Sequence, residues 1–285
     1  MTSRVTRRGV LSGLGAAAAS GFLGRGAKPA GAAIGVQTAG TPSRVLALIG
    51  DRYHNSDFIR VALDKLFGEL KLPVDYTINY SELSAKLLSN YRLFVCFRDG
   101  MIWPKGYRGP DSYPYSGDLE NPEDWPKEEP EGWIQESQGN AVKEFVLAGN
   151  GFYAFHNSSH ISLYSKDYRE VMGGAYLGHP PLRPFKVRVV NRDHPITRGV
   201  EGFMVNDEQH YVTYDKDPSN ILLRCENVDG LGYENLGTQA IAAWAYEFGK
   251  GRVVFTAPGH TLHAMWRPQY FRLQQNALRW LLKLA

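Results

Sequence analysis

The segment Arg44-Val45-Leu46-Ala47-Leu48-Ile49-Gly50 is a nearly continuous apolar run closed by glycine, and it constrains the chain more than any other stretch. A run without polar alternation has to be buried on both faces, the habit of a central parallel strand, and parallel strands need crossover connections that cover the sheet on each side. The following residues obey this demand. Positions 58, 59, 62, 63, 66, 67 and 70 are apolar at helical spacing, and Pro73 opens a second strand to about Ile78. Ser81-Glu82-Leu83 opens a short helix, Tyr91 to Phe97 reads as a third strand, Trp133 to Ala148 as a helix and Gly151 to Phe155 as a fourth strand. This βαβαβαβ order predicts an α/β fold, a doubly wound sheet with helices on both faces.

The second half is less regular. Phe185 to Val190, Ile221 to Arg224, Ala240 to Phe248 and Arg252 to Ala257 read as strands, Phe248-Gly249-Lys250-Gly251-Arg252 as a tight hairpin turn, and Trp266 to Leu284 as a closing amphipathic helix. Cys96 and Cys225 both lie in strand-like runs and read as small buried hydrophobes; their spacing fits neither a metal knuckle nor a redox pair, and whether they pair stays open.

The amino terminus predicts export. Arg7-Arg8 precedes an apolar run ending near Leu23 that is too short and too rich in glycine and alanine to remain in a bilayer, and Ala30-Gly31-Ala32 offers a cleavage site. Residues 1–33 are therefore expected to be a twin-arginine signal peptide handled by the Tat translocase, residues 34–43 a linker, and 44–285 the working domain in the periplasm or another extracytoplasmic space. The signal also carries the positive charge: five of the 32 Lys and Arg residues lie in it with no acid, which leaves 27 against 29 acidic residues, a formal charge of −2. That balance gives no reason to expect a nucleic acid partner. No stable membrane span is expected either, and homo-oligomer formation is left open.

Residues 99–133 stand apart, with six prolines, three tryptophans and three tyrosines. The expectation is an insertion over the carboxyl end of the sheet, where Trp103, Tyr107, Trp125 or Trp133 stacks on a sugar ring, or else an insertion packed on its own aromatics.

The chemistry emerges when the histidines are placed on the strand map. His54 follows the first strand, His156 directly follows the fourth, and His260 lies just past the last; ligands of open α/β sheets bind outside such carboxyl ends. Asp207 and Glu208 add carboxylates in a loop after the apolar stretch Gly202 to Val205. Three imidazoles and Glu208 suit a divalent metal such as zinc, manganese or iron, although the spacing is not a compact metal motif. Without metal, a histidine and a carboxylate in one cleft form an acid–base pair. His179 is expected to line the cleft or order its loop, His194 to satisfy backbone in a turn, and His160, His210 and His263 to belong to the site or its outer shell or, more in keeping with their places, to be structural. Leu48-Ile49-Gly50-Asp51-Arg52-Tyr53-His54 lacks the G-x-G-x-x-G fingerprint, so no NAD is expected.

Taken in order, Gly149-Asn150-Gly151-Phe152-Tyr153-Ala154-Phe155-His156, Gly178-His179-Pro180, His194-Pro195-Ile196-Thr197-Arg198-Gly199, Asp207-Glu208, Gly249-Lys250-Gly251-Arg252-Val253 and Gly259-His260-Thr261 resemble the ThuA-like (trehalose utilisation) family. The resemblance implies a class I glutamine amidotransferase-like, flavodoxin-like fold of mainly parallel strands. It also implies carbohydrate catabolism of trehalose-like sugars and their 3-keto derivatives. The turn that holds the amidotransferase cysteine is here Ala154-Phe155-His156-Asn157-Ser158, without cysteine, so glutamine hydrolysis is not expected. The expectation is a ketosugar isomerase, epimerase or lyase with His54, His156, Glu208, His260 and Asp207 as candidate catalytic residues. A non-catalytic carbohydrate-binding or partner protein and a metal-dependent hydrolase stand as the alternatives.

Overall fold

The computed structural model describes residues 45–107 and 128–284. The proposed signal peptide, the linker, Trp125 and most of the insertion lie outside the described residues.

Strands β1 (Val45–Ile49), β2 (Val74–Thr77) and β3 (Leu93–Phe97) open the chain. They are followed by β4 (Met101–Ile102), β5 (Glu131–Gly132), β6 (Gly151–Phe155), β7 (Tyr176–Gly178) and β8 (Arg183–Val189). The series ends with β9 (Phe203–Asp207), β10 (Tyr211–Val212), β11 (Ile221–Asn227), β12 (Gln239–Phe248) and β13 (Gly251–Thr256). Nine of them form one sheet in the order β2-β1-β3-β6-β13-β12-β11-β8-β9. The first five are parallel, and β12, β11, β8 and β9 continue the sheet by antiparallel pairing. The α/β fold with a parallel core is thus as the strand pattern predicts, with an antiparallel extension beyond β13.

The apolar runs explain the layering. Every residue of β1, β3 and β6 is buried. Val45, Ala47 and Ile49 enter one hydrophobic cluster and Leu46 and Leu48 the other, because successive side chains of a strand point to opposite faces. Helix α1 (Ser56–Glu69), capped by the Asn55 side chain, covers the first face through Ile59, Leu63, Leu66 and Phe67. The short α2 (Ala85–Leu88), α3 (Glu136–Leu147) and α4 (Lys166–Met172) cover the second. Helices α5 (Leu262–Met265) and α6 (Pro268–Leu281) return to the first face.

The differences from expectation are local. The segment expected to open a helix at Ser81 is a 3-10 turn, Tyr80–Glu82, and the closing helix is α6, which starts two residues later than expected with Pro268 in its first turn and is preceded by the separate short α5. Asp207 is the last residue of β9 instead of lying in a loop. Trp133 is not available to a sugar: its ring is buried and Nε1 donates to the Asp99 carbonyl at 2.7 Å. It anchors the stem of the insertion, where β4 pairs antiparallel with β5. Cys96 and Cys225 are buried, unpaired and on opposite faces of the sheet, and burial pushes both thiols up to about 12. Among the described residues no helix is long and apolar enough to cross a membrane.

Candidate functional site

The parallel strands end on one edge, and the alternating directions of β13, β12, β11, β8 and β9 turn β9 to point the same way. The carboxyl ends of β1, β6, β9 and β13 therefore meet although they are far apart in sequence. A direct tie closes the edge: Gly259 N–H donates to Asp207 Oδ2 at 2.7 Å, joining the end of β9 to the loop after β13.

His156 is the most constrained member. It is fully buried, and its φ of +46° lies in the left-handed region that a residue with a Cβ occupies only under strain. This is a sharp strand-to-helix turn of the kind that presents nucleophiles in other α/β enzymes, and here it presents an imidazole. The loop after β13 has to pass close by; a Cβ on Gly259 would stand 2.8 Å from that of His156.

Three imidazoles and one carboxylate then converge. Glu208 Oε2 lies 3.4 Å from His156 Nε2 and 3.1 Å from His260 Nδ1, and His260 Nδ1 lies 3.1 Å from His54 Nε2. Tetrahedral bonds of about 2.0–2.1 Å to a zinc-like ion separate neighbouring ligand atoms by roughly 3.3 Å. The spacing therefore fits one divalent cation. Two further observations support the fit. His156 Nε2 is buried without a hydrogen-bond partner among the described residues, and the far nitrogens of two ligands are already engaged. His54 Nδ1 donates to Asp51 Oδ1 at 2.9 Å and His156 Nδ1 to the Ala257 carbonyl at 2.7 Å, the arrangement that fixes ligand tautomers around protein-bound metals. Asn157 Nδ2 donates to Asp51 Oδ2 at 2.6 Å and holds that carboxylate in place.

Electrostatics favour the same donor set. Burial raises the cost of ionising Glu208, but the imidazoles of His156, His210 and His260 gathered around Oε2 outweigh it and hold the carboxyl far below its usual range. Burial, reinforced by the neighbouring His210, keeps His156 neutral. His54 differs: burial opposes its charge, but attraction to Asp51 wins and raises its pKa, so a cation would displace a proton there.

A cavity of about 840 Å³ opens over this cluster. His54, His179, Glu208 and His260 line it, as do Tyr53 and Tyr107. Trp103 stands behind the two tyrosines, its ring centroid 5.5 Å from Tyr53 and 5.9 Å from Tyr107, and the Arg52 guanidinium lies 4.7 Å from the Tyr107 centroid. Asp207 is fully buried and turned toward Gly259, so of the two adjacent carboxylates only Glu208 reaches the cavity.

Sequence reasoning passed over Asp51 and preferred a structural role for His210. His210 lies flat on His156 at 3.8 Å between centroids, with Nε2 3.4 Å from Glu208 Oε2, and His179 Nε2 is 3.6 Å from the same oxygen. The signal for His210 was its position two residues after Glu208. Asp51 carried one too, as a lone acid at the end of an apolar strand.

These groups set a pH dependence in the metal-free protein. Burial pulls His210 down to about 4, so the unfolded chain, titrating near 6.5, takes up that proton first and acidification from about 6.5 to 4 destabilises the fold. Asp207 works in the opposite sense. Burial pushes its carboxyl up to about 7, so the folded chain takes up the proton first and acidification from about 7 to 3.8 stabilises. Relative to wild type, the Tm of His210→Gln is expected to rise as pH falls through its window, and that of Asp207→Asn to fall. Melting curves that run parallel to wild type for both would contradict these assignments.

Comparison with known proteins agrees with the architecture. A search of curated proteins finds no match. Among solved structures, the chain is similar to a ThuA-like protein from Bacteroides uniformis, with a TM-score of 0.59 and 15% identity over 90% of this chain and 95% of that one. A ThuA-like protein from Parabacteroides merdae gives 0.59 and 16% over 85% and 90%. A β-galactosidase from Rahnella sp. R3 gives 0.53 and 14% over 86% of this chain but only 32% of its own, so the shared part is one region of a larger enzyme. The family model described as ThuA, trehalose utilisation, matches residues 124–281, a span that holds His156, Glu208 and His260. With more than half its length matched, the chain belongs to the ThuA family, linked to trehalose utilisation.

Proposed function

We propose that this chain is an enzyme of carbohydrate catabolism that moves a proton beside the carbonyl of a trehalose-like or 3-keto-glycoside sugar, in an isomerase, epimerase or lyase reaction. The observation that carries this reading is the convergence of His54, His156, Glu208 and His260, the first, third and fourth of which line one cavity with tyrosines on its wall. Apolar sugar faces stack on aromatic rings, and Tyr53, Tyr107 and the supporting Trp103 supply that surface. His179 stands where it reaches a sugar hydroxyl while its Nδ1 donates to the Pro180 carbonyl. A divalent cation held by the four residues would polarise the carbonyl oxygen and stabilise the negative charge that develops there. The protein's own part is to hold the sugar against the aromatic wall, exclude water and keep His156 neutral and Glu208 ionised.

Incubation with 3-keto-trehalose or a 3-keto-glucoside in deuterated water, followed by NMR, tests the reading. Deuterium entering beside the keto group, or conversion of the sugar, is expected. Neither exchange nor conversion of either sugar would overturn it, and water oxygen appearing in the product would instead mark a hydrolase.

The same reading places the working protein outside the cytoplasm, exported by the Tat translocase on the strength of Arg7-Arg8, the apolar run and Ala30-Gly31-Ala32. The secreted protein is then expected to begin just after this site. An intact amino terminus on cytoplasmic protein would contradict export.

A further inference from the structure

We propose that His160, held by Asp99, is the group that takes the proton from the sugar; this rests on the proton-transfer reading above. With a cation in place, His54, His156, Glu208 and His260 would each give a lone pair to it, and the base would then come from elsewhere in the cavity. Each alternative is engaged. Asp51 accepts from His54 and Asn157. His210 Nε2 lies 3.4 Å from Glu208 Oε2, and His179 has only the Pro180 carbonyl behind its Nδ1, with no carboxylate there to stabilise an imidazolium.

His160 is placed differently. It lines the same cavity and belongs to neither group of residues that fits a metal. Its Nδ1 donates to Asp99 Oδ1 at 2.9 Å. That bond fixes the tautomer in which Nε2 carries the lone pair, as the carboxylate of a catalytic triad does for its histidine. Nε2 has no other hydrogen-bond partner among the described residues and is not sealed from solvent, so it opens on the cavity. Tyr164 and Tyr176 meet the ring edge-to-face at centroid distances of 5.5 and 5.2 Å and restrict its rotation.

Asp99 is itself immobilised. It follows β3, its N–H donates to Asp51 Oδ2 at 2.9 Å, its Oδ1 accepts the Met101 N–H at 2.7 Å, and its carbonyl accepts from Trp133. Gly100 permits the approach of this loop to His160; a Cβ there would lie 3.0 Å from the His160 carbonyl oxygen. The two aspartates thus follow the adjacent strands β1 and β3, Asp51 holding His54 from its own loop and Asp99 holding His160 from the segment after β6, and the two pairs divide the work between holding a cation and moving a proton.

In the step itself, Nε2 accepts the proton from the carbon beside the keto group, the C–H electron pair becomes the carbon–carbon double bond of the enediolate, and the charge resides on the former carbonyl oxygen. The imidazolium returns a proton, exchanged with solvent, to carbon. No oxidant or reductant is required.

The test compares wild type, His160→Gln and Asp99→Asn in the deuterium-exchange assay, with metal content and melting temperature measured on each. If wild type exchanges, His160→Gln is expected to lose at least about a hundredfold in kcat with KM and metal content little changed, the usual share of a positioned base. Asp99→Asn, which leaves the imidazole in place but removes its anchor, is expected to lower kcat by a smaller factor with metal retained. Exchange by His160→Gln within a few fold of wild type would overturn the role of His160 and leave the cation-assisted reading standing. Absence of exchange in wild type would overturn both.

Discussion

Replacing Glu208 by glutamine is expected to cut bound metal below about a tenth of the wild-type content and to lower proton exchange by on the order of a thousandfold, roughly 4 kcal/mol of transition-state stabilisation. The argument is one of charge and position. Glu208 is the only anion among the four candidate ligands, so without it three imidazoles face the cation with no formal charge to balance it. The same Oε2 also stands within 3.4 Å of His156, His210 and His260, and the amide that replaces it has one oxygen and one NH₂ where two equivalent oxygens were. Far-ultraviolet circular dichroism is expected to stay unchanged, because Glu208 projects into the cavity and carries no core packing. Wild-type metal content in a folded Glu208→Gln protein would remove Glu208 from the ligand set.

The largest expected loss of stability lies away from the site. Trp244→Ala should cost about 3–5 kcal/mol, the range for truncating a buried large aromatic side chain. Trp244 on β12 is fully buried, its ring centroid 4.3 Å from Phe255 and 4.9 Å from Tyr214, and its Nε1 donates to the Met172 carbonyl at 3.0 Å. Its loss leaves a cavity in the second hydrophobic cluster and strips a partner from the last carbonyl of α4. For a domain of this size the melting temperature is expected to fall by roughly 6–20 °C. Metal content measured well below the new midpoint should be unchanged, which separates this variant from Glu208→Gln. A fall of less than about 2 °C would show that the cluster repacks around the gap.

The parallel core was legible because burial on both faces leaves an unambiguous trace. Residues 45–49, 93–97 and 151–155 are apolar throughout, and the predicted bounds differ from the observed ones by at most two residues. What was not legible has a physical cause in each case. The 3-10 segment His156–Leu163 reads as a polar loop, yet residues 156–162 are all buried, because the turn after β6 packs them beneath the other strand ends, a tertiary effect that leaves no trace in a polar sequence. Strand β9 escaped notice because it is an edge strand with a single buried apolar residue, Val205, in its interior. The pairing of β7 with β10 involves two and three residues, too few for any periodicity.

The same logic applies to the site. His54, His156 and His260 were visible because each follows a strand whose end could be read, and the structure brings them together with Glu208. His160 and His210 were not, since their places depend on the buried turn after β6 and on the return of β9 to the carboxyl edge. For Trp133 the sequence left two readings open, stacking on a sugar or packing within the protein, and the buried ring with its Nε1 bond to Asp99 decides for the second.

The most direct measurement is the metal content of the folded protein purified without chelator, by elemental analysis, together with anomalous diffraction at the edge of the metal found. One divalent ion per chain, with its anomalous peak bonded to His54, His156, Glu208 and His260, is the predicted result. A folded chain that takes up no stoichiometric zinc, manganese or iron when each is supplied, or an ion bonded elsewhere, would contradict it.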